Sequence, residues 1–335
     1  MNKLNLANLP TKIHKLERLS NELNTNIYIK RDDQTGSEFS GNKIRKLEFS
    51  IQEAQEKGAN VLITCGGIQS NHCRATVSAA TQLGMKSVVL LRISEQPEQD
   101  GNYFLDKLMG ADVRFCNREE YSKQRTEIME KIAAEYAAKG DTPYIIPEGA
   151  SNAVGSLGYY NAMKEIVEQE EELGIKFDTI IVATGSGGTC AGLNIANKVQ
   201  GYGRRIVGMC VCDDNWYFQT RIADMSNECL DYLVRQGEIT KDQKSKFQFT
   251  PEEIEMEDKY VGIGYAISRP EELEFITKIA RLEGLVLDPV YTGKGMYGVW
   301  NELQEGGILR SAKNILFIHT GGIYGLFPVS RSFEL

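Results

Sequence analysis

From residue 60 onward the chain alternates short, continuously apolar runs with segments of helix length, and this rhythm leaves few folds open. VLIT at 61–64, SVVLLR at 87–92, ADVRF at 111–115 and PYIIP at 143–147 are separated by helix-like stretches near 70–83, 101–109 and 119–139. A strand that is apolar on both faces needs cover on both, so the pattern describes a parallel sheet between layers of helices. After a Gly-rich break at 148–152 and a helix near 158–172 the alternation restarts, with DTIIVAT at 178–184, RIVGMCVC at 205–212 and NILFIHT at 314–320. Helices are expected up to Val199 and over 216–236 and 270–283, while residues 237–264 fit neither period and are expected to cover or edge the second sheet. The fold class is therefore α/β, two open parallel-sheet domains with helices on both faces. A length of 335 residues, more than one core usually supports, agrees with two units.

The net charge of -8 argues against nucleic acid or an anionic membrane as partner, so any anion site must be local. No apolar run has the length of a membrane span, and the opening MNKLNLANLPTKIHKLERLS lacks the apolar core of a signal peptide; a cytoplasmic location is expected. Seven cysteines form no C-x-x-C pair and there are only three histidines, so no metal site is expected. Cys210 and Cys212 share one face of a strand pattern, which suits buried thiols.

Ahead of the first unit, the alternating run Asn26 to Lys30 leads through a polar turn at 31–37 into GNKIRKLEF at 41–49. Ile44, Leu47, Ile51 and Ala54 then repeat at helical spacing. Lys43 thus stands at a helix start, where the macrodipole and neighbouring Arg45 should both lower its pKa. A lysine so tuned is a nucleophile toward an aldehyde. The competing reading makes Lys43, Arg45 and Lys46 a solvated basic first turn.

In open parallel sheets ligands collect beyond the carboxyl ends of the strands, and three Gly-rich loops fall there. Thr184-Gly185-Ser186-Gly187-Gly188-Thr189 offers backbone amides, hydroxyls and a helix start to an anion. It matches neither a dinucleotide fingerprint nor a Walker loop, so a phosphate cup for a small cofactor fits better. Cys65-Gly66-Gly67-Ile68-Gln69-Ser70-Asn71-His72 puts Ser70 and Asn71 at an N-cap suited to a carboxylate, with ordinary capping as the alternative. His72 is expected in a structural hydrogen bond rather than as a proton carrier. Asp288-Pro289-Val290-Tyr291-Thr292-Gly293-Lys294-Gly295 presents a phenol and a hydroxyl at a loop tip, and Tyr265 in GIGYA adds a second phenol.

Taken in order, GNKIRKLEF, GGIQSNHCR, TGSGGT, DPVYTGKG and HTGG make the sequence resemble the D-cysteine desulfhydrase and 1-aminocyclopropane-1-carboxylate deaminase family, pyridoxal-phosphate enzymes of fold type II. The resemblance runs from about Leu9 to Phe327. It implies a smaller domain, 46–158, inserted into a larger cofactor-binding domain of 1–45 and 159–335, with pyridoxal 5'-phosphate in the cleft and a homodimer as the assembly. By it, Lys43 bonds the cofactor aldehyde, and Lys46 with the loop from Gly185 to Thr189 holds the phosphate. Asn71 meets the pyridoxal hydroxyl and lies by the substrate. Ser70, with the Gln69 and His72 amides, takes the substrate carboxylate, and Tyr265 and Tyr291 face the substrate. Lys43 and Lys46, three apart, share a helix face, which agrees with this division of labour.

The deaminases of the family carry a glutamate after the tyrosine of DPVY, where it keeps the pyridine nitrogen protonated; this chain has Thr292. A neutral hydroxyl holds that proton less firmly, which disfavours opening a cyclopropane and favours loss of thiolate from Cβ. The expected activity is α,β-elimination on a small amino acid, D-cysteine to pyruvate, hydrogen sulfide and ammonia. Alternatives are deamination of the cyclopropane substrate, elimination of sulfite from L-cysteate, and a non-catalytic pyridoxal-phosphate-binding protein.

Overall fold

The computed structural model describes every residue except 1 and 305. The chain begins with β1 (Ile13–Lys15), α1 (Glu17–Leu23), β2 (Asn26–Lys30) and α2 (Lys43–Glu56). It continues through β3 (Val61–Gly67), α3 (Asn71–Gln82), β4 (Lys86–Arg92), α4 (Gly101–Leu108), β5 (Asp112–Cys116), α5 (Arg118–Ala137) and β6 (Pro143–Ile145). The remainder is α6 (Ala153–Leu173), β7 (Thr179–Thr184), α7 (Gly188–Val199), β8 (Arg205–Cys210), α8 (Asn215–Arg235), α9 (Lys241–Lys246), β9 (Glu255–Glu257), α10 (Pro270–Glu283), α11 (Thr292–Glu302) and β10 (Asn314–Ile318).

Two sheets result. The larger has the order β1-β2-β10-β7-β8-β9 and the smaller β5-β4-β3-β6. Every pairing is parallel except that of β1 with β2, where Ile13 faces Lys30. The antiparallel edge departs from the expected all-parallel arrangement; three mixed residues at a sheet edge need no cover and carry no apolar signature.

Period-two alternation divides each sheet between two cores. Ile180, Val182, Leu316 and Ile318 pack with Leu157, Leu193 and Phe218 of α6, α7 and α8. Their neighbours Ile181, Ile315 and Phe317 point the other way, onto Leu19, Ile279 and Val299 of α1, α10 and α11. In the smaller sheet Leu62 faces Leu47, Ile51 and Ala79 of α2 and α3, while Val61, Ile63 and Val88 face Tyr121 and Met129 of α5. Each fully buried Ile or Leu contributes about 2 kcal/mol relative to exposure. Ile44, Leu47, Ile51 and Ala54 are all fully buried, as their spacing predicts.

The chain leaves the larger sheet along α2 and returns along α6, and these helices pack closely: a Cβ on Gly158 would lie 2.5 Å from the Arg45 carbonyl oxygen. Beside this crossing lies a buried ion cluster. Arg45 meets Asp32 and Glu165 at 2.9 Å each, Lys30 meets Glu165 at 2.6 Å, and the Tyr159 phenol donates to Asp32. The expected domain limits at 45/46 and 158/159 both fall inside helices, α2 and α6. Residues 237–264 supply α9 and the edge strand β9, matching the expected cover or edge. The strand expected over 205–212 stops at Cys210, so Cys212 is off the sheet and half-buried, its thiol 3.6 Å from the Gly185 carbonyl oxygen. Among the described residues no helix is long and apolar enough to cross a membrane.

Candidate active site

The carboxyl ends of β3, β7 and β10 converge on one cavity. Its wall includes Lys43, Ser70, Asn71, His72, Gly185, Ser186, Gly187, Thr189, Tyr265 and Tyr291. Residues from five separate stretches of sequence are thereby brought together, while Lys46, Gln69, Gly188 and Thr292 stand behind this wall.

Lys43 is placed by the end of β10. The Asn42 amide donates to Thr320 O at 3.2 Å, and only glycine fits at position 41, where φ is +116° and a Cβ would lie 2.7 Å from the same carbonyl oxygen. The Asn42 side chain donates to Thr189 Oγ1 at 2.9 Å and accepts from Lys43 Nζ at 3.0 Å. Burial lowers the Lys43 pKa to about 8; the Asp288 and Glu148 carboxylates oppose the shift and the Arg74 guanidinium assists it. The expected influence of Arg45 is corrected here. Its guanidinium is engaged by Asp32 and Glu165, and Arg74 of α3 is the cation that acts on Lys43.

Lys46 and Arg45 are 1% and 3% exposed, which rules out a solvated basic turn for these two. Lys46 Nζ reaches Ser151 Oγ at 3.3 Å, and its pKa is pushed well below 10.5 by burial and then by the Lys43 and Arg221 charges. Ser151 is a junction that sequence reasoning passed over as part of a Gly-rich break. Its hydroxyl lies 2.8 Å from Ser186 Oγ and accepts from the Gly188 amide at 3.2 Å. The loop itself turns at Gly187, φ +90°, which caps α7 with no side chain and leaves the first amides of the helix free of intrahelical partners.

Across the cavity Ser70 caps α3, accepting from the Cys73 amide at 3.1 Å. The hydroxyl proton remains available to an incoming acceptor. His72 Nε2 lies 2.8 Å from Thr64 Oγ1, whose own proton goes to Ile146 O at 2.8 Å, so the imidazole donates from Nε2. Burial and then the Lys43 and Lys46 charges keep His72 well below its usual pKa, hence neutral; the structural hydrogen bond expected for it is present. Asn102 Nδ2 donates to Asn71 Oδ1 and to Gln69 O, at 3.0 Å each, and the Gln69 side chain turns away from the cavity toward Asp100 and Asn102.

The phenols of Tyr265 and Tyr291 are 2.7 Å apart, and Lys43 Nζ stands 5.5 Å from the Tyr291 ring centre. Burial raises the Tyr265 pKa to about 12, partly offset by the bond from Tyr291, and holds Tyr291 well above 10. Thr292 is buried with its hydroxyl committed: it donates to Asp288 Oδ1 at 2.7 Å and accepts from the Asp288 amide at 2.8 Å. Glu148 and Thr320 also line the cavity and were not singled out from sequence. No local motif marks them, although Thr320 lies in the HTGG stretch.

The model for the family described as pyridoxal-phosphate dependent enzyme matches residues 4–321. A bifunctional D-cysteine desulfhydrase/1-aminocyclopropane-1-carboxylate deaminase of Arabidopsis thaliana is 41% identical over 96% of this chain and 78% of its own length. A putative 1-aminocyclopropane-1-carboxylate deaminase of Thermotoga maritima is 40% identical over 98% of this chain and 99% of its own. A solved structure described as an ACC deaminase homologue superposes with a TM-score of 0.87 at 36% identity, over 99% of this chain and 95% of the other.

The residues present fit such a cofactor. The cavity offers an amine at Lys43, and behind the loop at 185–189 a second buried amine, Lys46, whose hydrogen-bond partner is a hydroxyl rather than a carboxylate. An amine that takes up a proton next to helix-start amides is complementary to a phosphate dianion. The loop admits no side chain at two of its glycines: a Cβ on Gly185 would meet the Tyr291 ring at 2.8 Å, and one on Gly188 would meet Ser151 Oγ at 2.7 Å.

Proposed function

The chain belongs to the pyridoxal-phosphate-dependent enzymes and takes pyridoxal 5'-phosphate as its cofactor, and from that premise we propose that it is a lyase converting D-cysteine to pyruvate, hydrogen sulfide and ammonia. The single observation that carries the choice is Thr292. The residue after Tyr291 has no carboxylate, and its hydroxyl proton is already given to Asp288. Nothing at that position keeps a pyridine nitrogen firmly protonated, so an easily expelled Cβ substituent is favoured over an unactivated cyclopropane bond.

Bound pyridoxal phosphate supplies an electron sink for the bond electrons at Cα. The chain's own groups do the rest. Lys43, with its pKa lowered to about 8, has an appreciable neutral fraction at physiological pH and takes the Cα proton. Ser70 Oγ, with the amides at the start of α3, holds the substrate carboxylate, and the Lys46 ammonium with the loop from Gly185 to Thr189 holds the phosphate. Asn71, fixed by Asn102, is assigned to the ring hydroxyl. Tyr265 and Tyr291 share a proton-bearing contact of 2.7 Å at the end of the cavity and protonate the departing sulfur. A cytoplasmic homodimer is part of the proposal, with light scattering as its check.

Purified protein is mixed with D-cysteine, L-cysteine, L-cysteate and 1-aminocyclopropane-1-carboxylate in parallel while sulfide, sulfite, ammonia and the 2-oxo acid are followed. Sulfide and pyruvate from the D-isomer alone support the reading. Ammonia and 2-oxobutyrate from the cyclopropane substrate at a higher rate replace it with the deaminase reading, which the Thermotoga relative's name favours.

A further inference from the structure

Tyr265 is delivered to the cavity by a segment that has little else to hold it. Between β9 and α10 the chain runs through residues 258–269 without helix or ladder strand, apart from an isolated bridge between Gly264 and Ile267. Its backbone bonds are local: the Val261 amide donates to Asp258 O and the Ile267 amide to Gly264 O. Ile263 and Ile267 are 65% and 52% exposed, and Ala266 sits at φ +60°. Tyr260 and Val261 pack on the core, but over 262–267 neither apolar burial nor relaxed backbone fixes the loop.

Among the described residues, the hydrogen bonds that leave 261–267 are the local one from the Val261 amide to Asp258 O, the Tyr265 phenol contact with Tyr291 and two bonds from one side chain, Lys294. Lys294 Nζ donates to Val261 O at 2.7 Å and to Gly264 O at 2.8 Å. The side chain is 1% exposed, and its donors go to carbonyls instead of a carboxylate. It projects from α11 one turn beyond Tyr291, which caps the same helix.

We infer that Lys294 is a positioning residue that clamps the Tyr265 loop onto the helix end presenting Tyr291, so that one rigid element sets the spacing of both phenols. The inference deepens the reading of Tyr265 as a proton-handling residue and rests on it. A buried ammonium is suited to the task because it satisfies two diverging carbonyl oxygens at once. When it is removed Val261 O loses its donor and Gly264 O keeps only the local Ile267 amide, and the loop is then free to rotate about its exposed residues. Displacing an acting group by about 1 Å costs on the order of 10²-fold in rate.

The test uses the holoenzyme and whichever substrate of the panel it turns over. Lys294→Met is expected to lower kcat on the order of 10²-fold while the visible cofactor band persists. Amide hydrogen exchange over residues 259–267 is expected to accelerate in the same variant, with or without cofactor. Lys294→Gln, which keeps two donors, is expected to fall between, and it carries both measurements if the methionine variant does not fold. In a Tyr265→Phe background Lys294→Met should add no more than about twofold, because residues acting through one group are not additive. A full multiplicative loss in that background, or unchanged exchange at 259–267, overturns the inference. If Tyr265→Phe alone leaves kcat intact, the reading of Tyr265 fails, and the exchange measurement still decides whether Lys294 clamps the loop.

Discussion

Lys46→Met probes a charge that the protein without its cofactor holds at a cost. Lys46 is 1% exposed, its hydrogen-bond partner is the Ser151 hydroxyl, and burial with the Lys43 and Arg221 charges pushes its pKa well below the 10.5 of a free lysine. Below pH 10.5 the unfolded chain therefore binds a proton that the folded apoprotein binds weakly. Folding stability must then rise with pH through the interval between the folded and the unfolded pKa. One proton corresponds to about 1.4 kcal/mol per pH unit, so within that interval this lysine alone adds stability to the wild-type apoprotein with a slope of up to that size. Lys46→Met lacks that gain while keeping the apolar volume. The assay is urea denaturation of both apoproteins at pH 8, 8.5, 9 and 9.5, in which the contributions of other titrating groups largely cancel from the difference. The gap should change in favour of the wild type as the pH rises, by up to about 1.4 kcal/mol per pH unit. Inorganic phosphate should stabilise the wild type, by about 2.7 kcal/mol at a hundredfold excess over its dissociation constant, and leave Lys46→Met unmoved. Parallel curves for the two proteins would refute the reasoning, since they would mean that Lys46 keeps its proton in the fold without an anion.

Two further outcomes follow from the same electrostatics. The rate at which apoprotein captures pyridoxal phosphate should rise with pH along a single titration centred near 8, because burial places the Lys43 amine there and only its neutral form attacks an aldehyde; stopped-flow absorbance checks it, and a rise centred near 10.5 would return Lys43 to an exposed environment. Arg45→Met strands Asp32 and Glu165 beside Lys30 alone and should destabilise the fold by about 3–5 kcal/mol in urea, whereas a cost under about 1 kcal/mol would mean that the cluster is solvated.

The core strands were legible because both their faces are buried, which leaves unbroken apolar runs such as TIIVAT in β7. Edge strands escape that logic. β1 and β9 are three residues each, and β9 reads Glu255-Met256-Glu257, with Met256 alone turned into the core. The start of α6 was placed about five residues late, at Gly158, as if that glycine opened the helix. Gly158 is there instead to let the Arg45 backbone approach, which is a property of a second helix far away in sequence. The strand-end loops of the site were visible for a local reason, their glycines and hydroxyls. The groups that tune them were not. Arg74 rather than Arg45 acts on Lys43, and Ser151 meets Lys46 across 105 residues. Such contacts are written in tertiary packing, not in spacing.

Ser151 stands just after the chain has completed the smaller sheet, whereas Lys46 stands just before that sheet begins, and the loop that Ser151 also meets belongs to the larger sheet. The anion pocket is thus a seam, stitched from the outgoing strand of chain, the returning one and the body that receives them. No fragment ending before residue 151 contains it, and a molecule whose inserted sheet has folded out of register cannot close it. With the cofactor phosphate held where we propose, retention of the visible band would report that both sheets have met correctly.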